Sequence, residues 1–535
     1  MTFDFIIVGA GSAGCVLANR LSASGKHRVL LLEAGGSDRR FFVQMPLGYG
    51  KTFYDKSCNW MYQAEPDPGL NGQRDYYPRG KILGGSSSIN AMVYIRGAAE
   101  DYQDWKRNGN IGWGWDDVLP IYKQMEDYAA GDPDFRGAGG PLQLTDLGTD
   151  AHPLCEPFIQ AAEATGLKRN PDFNGAGQEG VGFYQLTTKG GRRLSAARAF
   201  LRPAMARKNL EVVTHAQVTR ILFEGTRAVG VAYVKNGQSL TAKAEAEVII
   251  SGGAINSPQL LQLSGIGPGA LLQSLGIEVI RANSNVGARM QDHHGINYTF
   301  RMKVPTLNDQ LRPWWGKLRA GMQYILTQRG PLSLSVNQGG GFFRTSADLD
   351  RPNMQLYMQA FSTLIPKDGE RPLLNPDPFS GMSLGLSNCR PSSTGEVMIA
   401  SADPFSPPKI SFNTYGTERD VSEMLSAVKY LRMIAAAEPL RHLIAEELRP
   451  GPRIVSDDEL IHDMRQRSGT VYHHACTCRM GPDAANSVVD PRLRVHGIQG
   501  LRVCDASVFP NLISGNTNAP SMMVGWRGAD IILGG

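Results

Sequence analysis

The chain has 535 residues, of which 42% are hydrophobic and 20% charged, and its formal net charge is +5. These values are typical of a globular protein, and a chain of this length can bury a large core divided over two domains. The small charge, without a dense Lys/Arg block, argues against a nucleic-acid partner.

The cysteines and the N-terminus exclude further classes. Seven cysteines lie scattered along the chain, and of these only Cys476 and Cys478 are close in sequence. Such a set is typical of reduced thiols, and without a second pair at metal-ligand spacing we expect no metal site. We see neither a signal peptide nor an apolar run of bilayer length, so we expect a cytoplasmic protein or one lying peripherally on the inner membrane.

The first motif is a glycine turn between a strand and a helix. Residues 5–8 predict a buried strand, and an apolar-periodic helix runs from about residue 15 to residue 22. In the sequence GAGSAG between them, Gly9 permits a tight turn, Gly11 lets the backbone approach a pyrophosphate, and Gly14 lets the helix pack on the strand. The N–H groups at the start of this helix favour an anionic group.

A second strand at residues 29–32 ends at Glu33, about 20 residues after the glycine turn. A carboxylate there accepts hydrogen bonds from both ribose hydroxyls and repels a 2′-phosphate, which argues against NADP. Together with the turn it predicts a dinucleotide site, but it does not separate FAD from NAD.

Residues 79–90, RGKILGGSSSIN, predict a loop rich in small side chains and free N–H groups, suited to wrapping a phosphate or an extended cofactor. Apolar residues on both sides predict that the loop is held inside the fold. Here a resemblance becomes specific: residues 80–103 and 253–267 resemble the two signatures of the glucose–methanol–choline (GMC) oxidoreductase family along their whole length.

The resemblance implies an α/β protein with a Rossmann-like FAD-binding domain that carries a β-meander, and an α+β substrate domain with an antiparallel sheet. We expect the FAD-binding domain to comprise residues 1–155, 205–295 and 470–535, and the substrate domain residues 156–204 and 296–469. Some relatives join the flavin to a His where this chain has Ile89, so FAD should be non-covalent. The expected FAD-binding residues are Gly9, Gly11, Ser12, Ala13, Gly14, Glu33, Ala34, Gly84, Gly85, Ser86, Ser87, Asn90, Ala91, Met92, Val93, Val218, Asp505, Ala506, Asn516, Thr517 and Asn518.

Several elements follow from local signals. Ser257 and Pro258 predict the N-cap and first residue of a helix, and Asn236-Gly237 between apolar runs predicts a two-residue hairpin. Residues 247–251 predict a strand that returns to the main sheet. The later elements are strands at 355–359 and 382–386, an amphipathic helix at 421–434, a Pro-rich surface loop or lid at 366–378, and a last helix at 521–533.

Two C-terminal segments carry the chemistry. Alcohol oxidation needs a base for the hydroxyl proton and an acceptor for the hydride, and histidine is suited to the first task because its ordinary pKa is near neutrality. The resemblance assigns the base to His473 and a carboxamide that holds the alcohol oxygen to Asn518. Relatives usually have Pro where this chain has His474, so a share of the base role for His474 stays open. Tyr472, Trp60 and His474 are expected in the alcohol pocket.

These assignments imply oxidation of a primary alcohol to an aldehyde, with the hydride passing to flavin N5 and the electrons to a quinone, a cytochrome or oxygen. The resemblance is to the choline dehydrogenase and alcohol dehydrogenase (acceptor) branch, and the substrate would be an aliphatic or polyether alcohol such as polyethylene glycol, with choline as one further candidate. Alternatives left open are an oxygen-using alcohol or choline oxidase, an FAD-containing hydroxynitrile lyase, and a nicotinamide-dependent or non-catalytic nucleotide-binding protein. A homodimer also stays open. His293 and His294 resemble a structural turn and receive no chemistry.

One further segment has two interpretations. Arg312-Pro313-Trp314-Trp315 precedes a helix that carries Lys317, Arg319 and Arg329. A buried Trp pair is the favoured interpretation, because aromatic side chains usually pack in cores. The alternative is peripheral contact with a membrane surface that delivers electrons to quinone.

Overall fold

The structure is a computed structural model that describes residues 2–364 and 375–534. The predicted Pro-rich loop or lid at 366–378 lies outside the described residues except for its last four positions.

The first sheet forms the core of the predicted nucleotide-binding half. In its parallel part, Val29–Leu32 lies between Thr2–Val8 and Leu210–Val213. Val29–Leu32 and the second half of Thr2–Val8 are apolar and buried. Continuous apolar runs of this kind are typical of parallel strands covered on both faces. In spatial order the strands are Leu210–Val213, Val29–Leu32, Thr2–Val8, Gln238–Ile250, Arg227–Lys235 and Ala216–Glu224, with Leu501–Val503 also paired to Gln238–Ile250.

One long strand, Gln238–Ile250, joins the meander to the parallel sheet. Its first half pairs antiparallel with Arg227–Lys235, and its second half pairs parallel with Thr2–Val8. The hairpin turn is at Asn236 and Gly237, whose φ angles of 51° and 77° are those of the predicted two-residue turn. The predicted return strand is therefore the end of this longer strand.

The second sheet is antiparallel and carries the other core. In spatial order its strands are Ile444–Arg449, His294–Met302, Gly381–Asn388, Met354–Gln359, Gly339–Phe343 and Gly180–Phe183, with Gly469–Thr470 paired to the start of His294–Met302. The predicted strands at 355–359 and 382–386 are confirmed. The mixed sheet and the antiparallel sheet together confirm the predicted fold class, whereas the exact domain boundaries stay a prediction.

Helices cover both sheets. The predicted amphipathic helix is confirmed as Glu418–Ala436, whose apolar side packs on the second sheet. The other helices of nine or more residues are Ser12–Leu21, Ala99–Arg107, Trp115–Met125, Cys155–Ala164, Gly253–Leu263, Trp314–Thr327, Asp457–Arg467 and Asn518–Ile532. The shorter ones are Phe41–Gln44, Tyr49–Thr52, Arg202–Ala204, Gly269–Ser274, Leu307–Leu311 and Leu440–Leu443.

The helix of the second signature begins earlier than predicted, at Gly253 instead of Pro258. Pro258 lies inside the helix and has no N–H for the carbonyl of Ala254, which would ordinarily end or kink a helix. Here the Thr477 hydroxyl donates to that carbonyl oxygen at 2.7 Å. The predicted N-cap Ser257 instead donates its hydroxyl to Asp505 at 2.6 Å.

The chain's seven cysteines are buried free thiols. Across the described residues, no three metal-ligating side chains lie together in an arrangement that suits a metal ion. In the same residues, no helix has both the length and the apolarity needed to cross a membrane.

Candidate active site

The predicted glycine turn lies where the first strand meets the first helix. Gly9 has a φ of 101°, and a Cβ on it would lie 2.5 Å from the Ser251 carbonyl oxygen, so only glycine fits. A Cβ on Gly14 would lie 1.9 Å from the Gly9 oxygen, and this close approach packs helix on strand. A Cβ on Gly11, in contrast, would meet nothing nearer than the Ser251 oxygen at 3.9 Å. Gly11 therefore borders open space.

Glu33 is buried beside this turn and holds it in place. Its carboxylate accepts hydrogen bonds from the N–H groups of Ala10 and Gly35 at 2.9 and 2.8 Å. Burial raises the pKa of Glu33 to about 7, although the two hydrogen bonds favour the charged form. Each carboxylate oxygen has a second lone pair. Glu33 can therefore hold the turn and still accept ribose hydroxyls.

The serine-rich loop packs directly on the glycine turn. The Gly84 N–H donates to the Ala10 carbonyl at 2.7 Å. A Cβ on Gly85 would lie 2.7 Å from the Cα of Gly11, so the two glycine backbones lie against each other. The loop is thus held inside the fold, as predicted, and closes one side of a cavity.

This cavity has a volume of about 630 Å³ and extends from the glycine turn to the C-terminal histidines. Three predicted cofactor residues, Gly14, Gly84 and Ser87, are not part of its wall. The others line it: Gly9, Gly11, Ser12, Ala13, Glu33, Ala34, Gly85, Ser86, Asn90, Ala91, Met92, Val93, Val218, Asp505, Ala506, Asn516, Thr517 and Asn518.

The His473 ring has a hydrogen-bond partner at each nitrogen. Its Nδ1 is 3.0 Å from Nδ1 of His293, and its Nε2 is 3.1 Å from Nδ2 of Asn516. Burial, reinforced by the neighbouring His293, holds the pKa of His473 well below its usual value. The ring is therefore neutral at neutral pH, with one nitrogen protonated and the other able to act as a base.

The surroundings of His293 decide which nitrogen of His473 carries the proton. Nε2 of His293 is 2.8 Å from the Cys389 carbonyl oxygen, and because a carbonyl only accepts, this Nε2 must be an N–H. Burial lowers the pKa of His293 to about 4, so the ring is neutral and its Nδ1 is an acceptor. His473 must then donate from Nδ1. Its Nε2 keeps the lone pair.

The Asn516 carboxamide is oriented by a similar argument. Its Oδ1 accepts a hydrogen bond from Nε2 of Gln355 at 3.2 Å, and Oε1 of Gln355 accepts one from the Tyr357 hydroxyl at 2.7 Å. With its oxygen engaged in this way, Asn516 presents its NH₂ group to Nε2 of His473.

The structure differs here from the predicted pair of His473 and Asn518. Oδ1 of Asn518 accepts the Ser12 hydroxyl at 2.8 Å, beside the glycine turn, and the amide bonded to His473 is that of Asn516. The last helix begins at Asn518, three residues before the predicted start. Asn518 is therefore drawn into the first helical turn, and Asn516 lies on the preceding segment.

The three predicted pocket residues all line the cavity, in different ways. The Tyr472 ring lies edge-on to Phe53 with centroids 5.1 Å apart, and Trp60 stacks on Tyr62 at 5.8 Å. His474 is buried, and its Nδ1 lies 2.7 Å from Oδ2 of Asp292.

Asp292 anchors the segment that carries the base. Its carboxylate accepts hydrogen bonds from the Thr470 hydroxyl, from the backbone N–H of His473 at 2.8 Å and from Nδ1 of His474. Burial opposes the charge of Asp292, but His474, His294 and Thr470 together hold its pKa well below its usual range. Burial lowers the pKa of His474, which therefore serves as a neutral donor to Asp292.

Sequence reasoning missed two contributors to this site. His293 received no chemistry, although a second tandem histidine pair at 293–294 was a signal that could have suggested it. Gln355 carried no signal at all, because it is one polar residue within an ordinary strand.

The residues present fit an extended dinucleotide. Gly11 leaves room for a pyrophosphate at the start of a helix, Glu33 can accept ribose hydroxyls, and the cavity continues from there to His473. A neutral imidazole at the far end can take a proton beside the redox ring of such a cofactor. The fold and the site are those of a dinucleotide-dependent oxidoreductase.

Comparison with known proteins specifies the class further. Sequence signatures described as GMC oxidoreductase match residues 3–295 and 391–525. An alcohol dehydrogenase [acceptor] of Pseudomonas putida is 42% identical over 99% of this chain and 96% of its own length. An oxygen-dependent choline dehydrogenase of Vibrio vulnificus is 40% identical over 99% and 94%. The chain belongs to the GMC oxidoreductase family, and its cofactor is FAD.

Solved structures agree with this assignment. A formate oxidase of Aspergillus oryzae, described in terms of its FAD modification, superimposes with a TM-score of 0.92 and 27% identity, covering 99% of this chain and 98% of its own. The similarity extends over both sheets.

Replacing Gly11 by Leu should abolish FAD binding and leave the fold intact. A Cβ at Gly11 would make only an ordinary contact, with the Ser251 carbonyl oxygen at 3.9 Å, and the extended backbone at Gly11 (φ −77°) suits any residue. The side chain would occupy the space assigned to the pyrophosphate. The amount of FAD per chain after purification measures binding, and circular dichroism checks that the fold is intact. The matched control is Gly177→Leu, at an exposed glycine with nothing within 4 Å. Normal FAD content in Gly11→Leu contradicts the placement.

Proposed function

We propose that the protein oxidises a primary alcohol to an aldehyde, with His473 as the base and non-covalently bound FAD as the hydride acceptor. The observation that carries this proposal is the His473 ring at the cavity wall, with its Nε2 lone pair directed at the Asn516 amide. The relatives named for alcohol and choline oxidation support it. Ile89, which lines the cavity, offers no atom for a covalent bond to flavin.

The pair formed by His473 and Asn516 suits an alcohol hydroxyl. A hydroxyl is both a donor and an acceptor, so it can replace the direct hydrogen bond between the two side chains by donating to Nε2 of His473 and accepting from Nδ2 of Asn516. His473 then takes the proton, and the Asn516 N–H stabilises the negative charge that develops on the oxygen. When bound, FAD supplies the acceptor for the hydride that leaves the carbinol carbon.

Two neighbours of His473 affect its protonation during the reaction: His293 fixes the orientation of the ring, and Asp292 favours the protonated state. Nδ1–H of His473 already donates to His293, so the ring does not need to rotate when Nε2 gains a proton. The charge of Asp292 favours the resulting imidazolium. His293 and Asp292 therefore act through His473 as positioning residues.

The cavity wall favours a neutral alcohol over choline. It is rich in aromatic side chains, and its carboxylates among the described residues, Glu33 and Asp505, are engaged at the expected FAD site. Of the cationic side chains on the wall, Arg449 and Arg467 lie on the side of the second sheet, and Arg79 lies beside Tyr472. A quaternary ammonium is best held by aromatics with a nearby acid. We therefore propose an aliphatic or polyether alcohol as the substrate, with electrons passed to a quinone, a cytochrome or another acceptor.

Mixing the enzyme anaerobically with primary alcohols of graded length tests the reaction. Flavin absorbance should bleach, and a neutral alcohol should give a higher reduction rate at equal concentration than choline. An unbleached flavin would contradict oxidation and favour a cyanohydrin-cleaving lyase. Under air, peroxide in near-stoichiometric yield with aldehyde would identify an oxidase, and little peroxide a dehydrogenase.

Substitutions should separate the two asparagines. His473→Ala should lower the rate of flavin reduction by about 100- to 10,000-fold, because the general base is lost, with FAD still bound. Asn516→Ala should lower the same rate by about 100-fold, since one donor to the developing oxyanion is removed. Asn518→Ala, the matched control on the same tail, should change FAD affinity more than the reduction rate. Stopped-flow reduction and FAD titration measure both. Opposite results for the two asparagines would restore Asn518 as the catalytic amide.

His293 should act through the tautomer of His473. His293→Ala removes the acceptor at Nδ1, so the proton can move to Nε2 and the base is lost in part of the molecules. We expect about a 10- to 100-fold slower flavin reduction, with partial recovery in His293→Gln, whose side-chain oxygen can accept from Nδ1. Imidazole nitrogen chemical shifts of His473, measured by NMR, report the tautomer directly. An unchanged tautomer in His293→Ala contradicts this role.

A further inference from the structure

The helix Trp314–Thr327 turns its large apolar side chains outward. Its buried residues are Gly316, Ala320 and Tyr324. Its exposed apolar residues, with their exposed fractions, are Trp314 76%, Trp315 57%, Leu318 53%, Met322 51%, Ile325 65% and Leu326 82%. At 3.6 residues per turn these six side chains fall within an arc of about 120°. The favoured prediction of a buried Trp pair is therefore wrong.

A neighbouring helix extends this surface. Phe41 and Phe42 in the helix Phe41–Gln44 are 56% and 46% exposed. The Phe41 ring contacts that of Tyr324, with centroids 6.3 Å apart, so the two helices are adjacent. We call Phe41, Phe42 and the six exposed residues of the longer helix the docking face. Contiguous exposed apolar surface of this kind marks an interaction site.

Positive charge surrounds the docking face. Arg312, Lys317, Arg319 and Arg329 are exposed, and no acidic residue occurs between residues 310 and 347. Beside the face is a cavity of about 320 Å³ lined by four arginines together with Phe41 and Tyr324. The acids near those arginines are already paired, Asp38 with Arg202 and Asp55 with Arg40, both at 2.8 Å.

We propose that the docking face binds the headgroup region of a lipid bilayer that carries anionic lipids. Tryptophan and other large apolar side chains partition into this region, and arginine and lysine around them are attracted to anionic headgroups. A second copy of the chain is a poorer occupant, because a twofold contact would bring two cationic rims together. The inference goes beyond the proposed reaction, since lipid binding needs no turnover.

The docking face is connected to the cavity of the active site. The helix Trp314–Thr327 packs on the short turn Pro331–Ser333, and Val336 just after that turn lines the cavity. Pro46–Gly48, which follows the helix of Phe41 and Phe42, also packs on this turn and leads into Tyr49 of the cavity wall. A bound bilayer would therefore lie on the elements that support this wall.

Vesicle binding of the purified FAD-loaded enzyme tests the proposal. The wild type should sediment with vesicles of phosphatidylcholine and phosphatidylglycerol. The surface variant Trp314→Ser, Trp315→Ser, Leu318→Ser, Ile325→Ser should lower the partition coefficient at least ten-fold. Its matched control, Ile111→Ser, Phe405→Ser, Met433→Ser, Val455→Ser, removes four equally exposed apolar side chains elsewhere and should bind like the wild type.

Charge variants test the choice of lipid. Lys317→Gln with Arg319→Gln should weaken binding to the anionic vesicles about 25-fold, since each cation near such a surface contributes about five-fold. Lys243→Gln with Arg220→Gln, exposed on the meander, should have no effect. The proposal is overturned if the wild type does not sediment, or if the surface variant binds as well as its control. It is equally overturned if the wild type is a dimer that binds no vesicles and the surface variant is a monomer.

Discussion

The hydrogen bonds at both nitrogens of His473 are the constraint on which the site depends. A neutral imidazole has one donor and one acceptor, and here each meets a partner that is itself oriented. The sequence of donors runs one way, from the Tyr357 hydroxyl through Gln355, Asn516, His473 and His293 to the Cys389 carbonyl. Its members come from the second sheet and from the tail that packs on the first. The base therefore has a defined tautomer only when both parts of the chain are folded together.

The backbone that presents this ring is unusual, and Asp292 explains why it persists. Tyr472 and Cys476, on either side of the two histidines, have φ angles of 71° and 73°, a region that costs energy for residues other than glycine. Asp292 accepts hydrogen bonds from the backbone of His473 and from the side chains of Thr470 and His474. A buried, fully engaged carboxylate can compensate such strain, because releasing the segment would leave its charge without partners.

Local signals explain what the sequence could predict, and long-range contacts explain what it could not. The glycine turn and Glu33 were identified because their residues act within one strand, turn and helix. The start of the second-signature helix was predicted at Pro258 because proline is a strong N-terminal signal, and only Thr477, 223 residues from Ala254, makes an interior proline acceptable. Asn516 and Asn518 look equivalent in sequence, and the first turn of the last helix separates them. The roles of His293 and Gln355 exist only in the folded protein.

In the helix Trp314–Thr327, close backbone packing decides which face is buried, and side-chain polarity does not. Its apolar residues predict a buried stripe, and yet the stripe that packs inward consists of Gly316, Ala320 and Tyr324, the first two of which are small. A Cβ on Gly316 would lie 2.1 Å from the Gln310 carbonyl oxygen, so the backbone approaches its neighbours more closely than any larger residue allows. Turning the Trp side inward would force large side chains into that contact and cost packing energy. The close backbone approach at Gly316 therefore selects which face is buried, and the face with the large apolar side chains remains exposed.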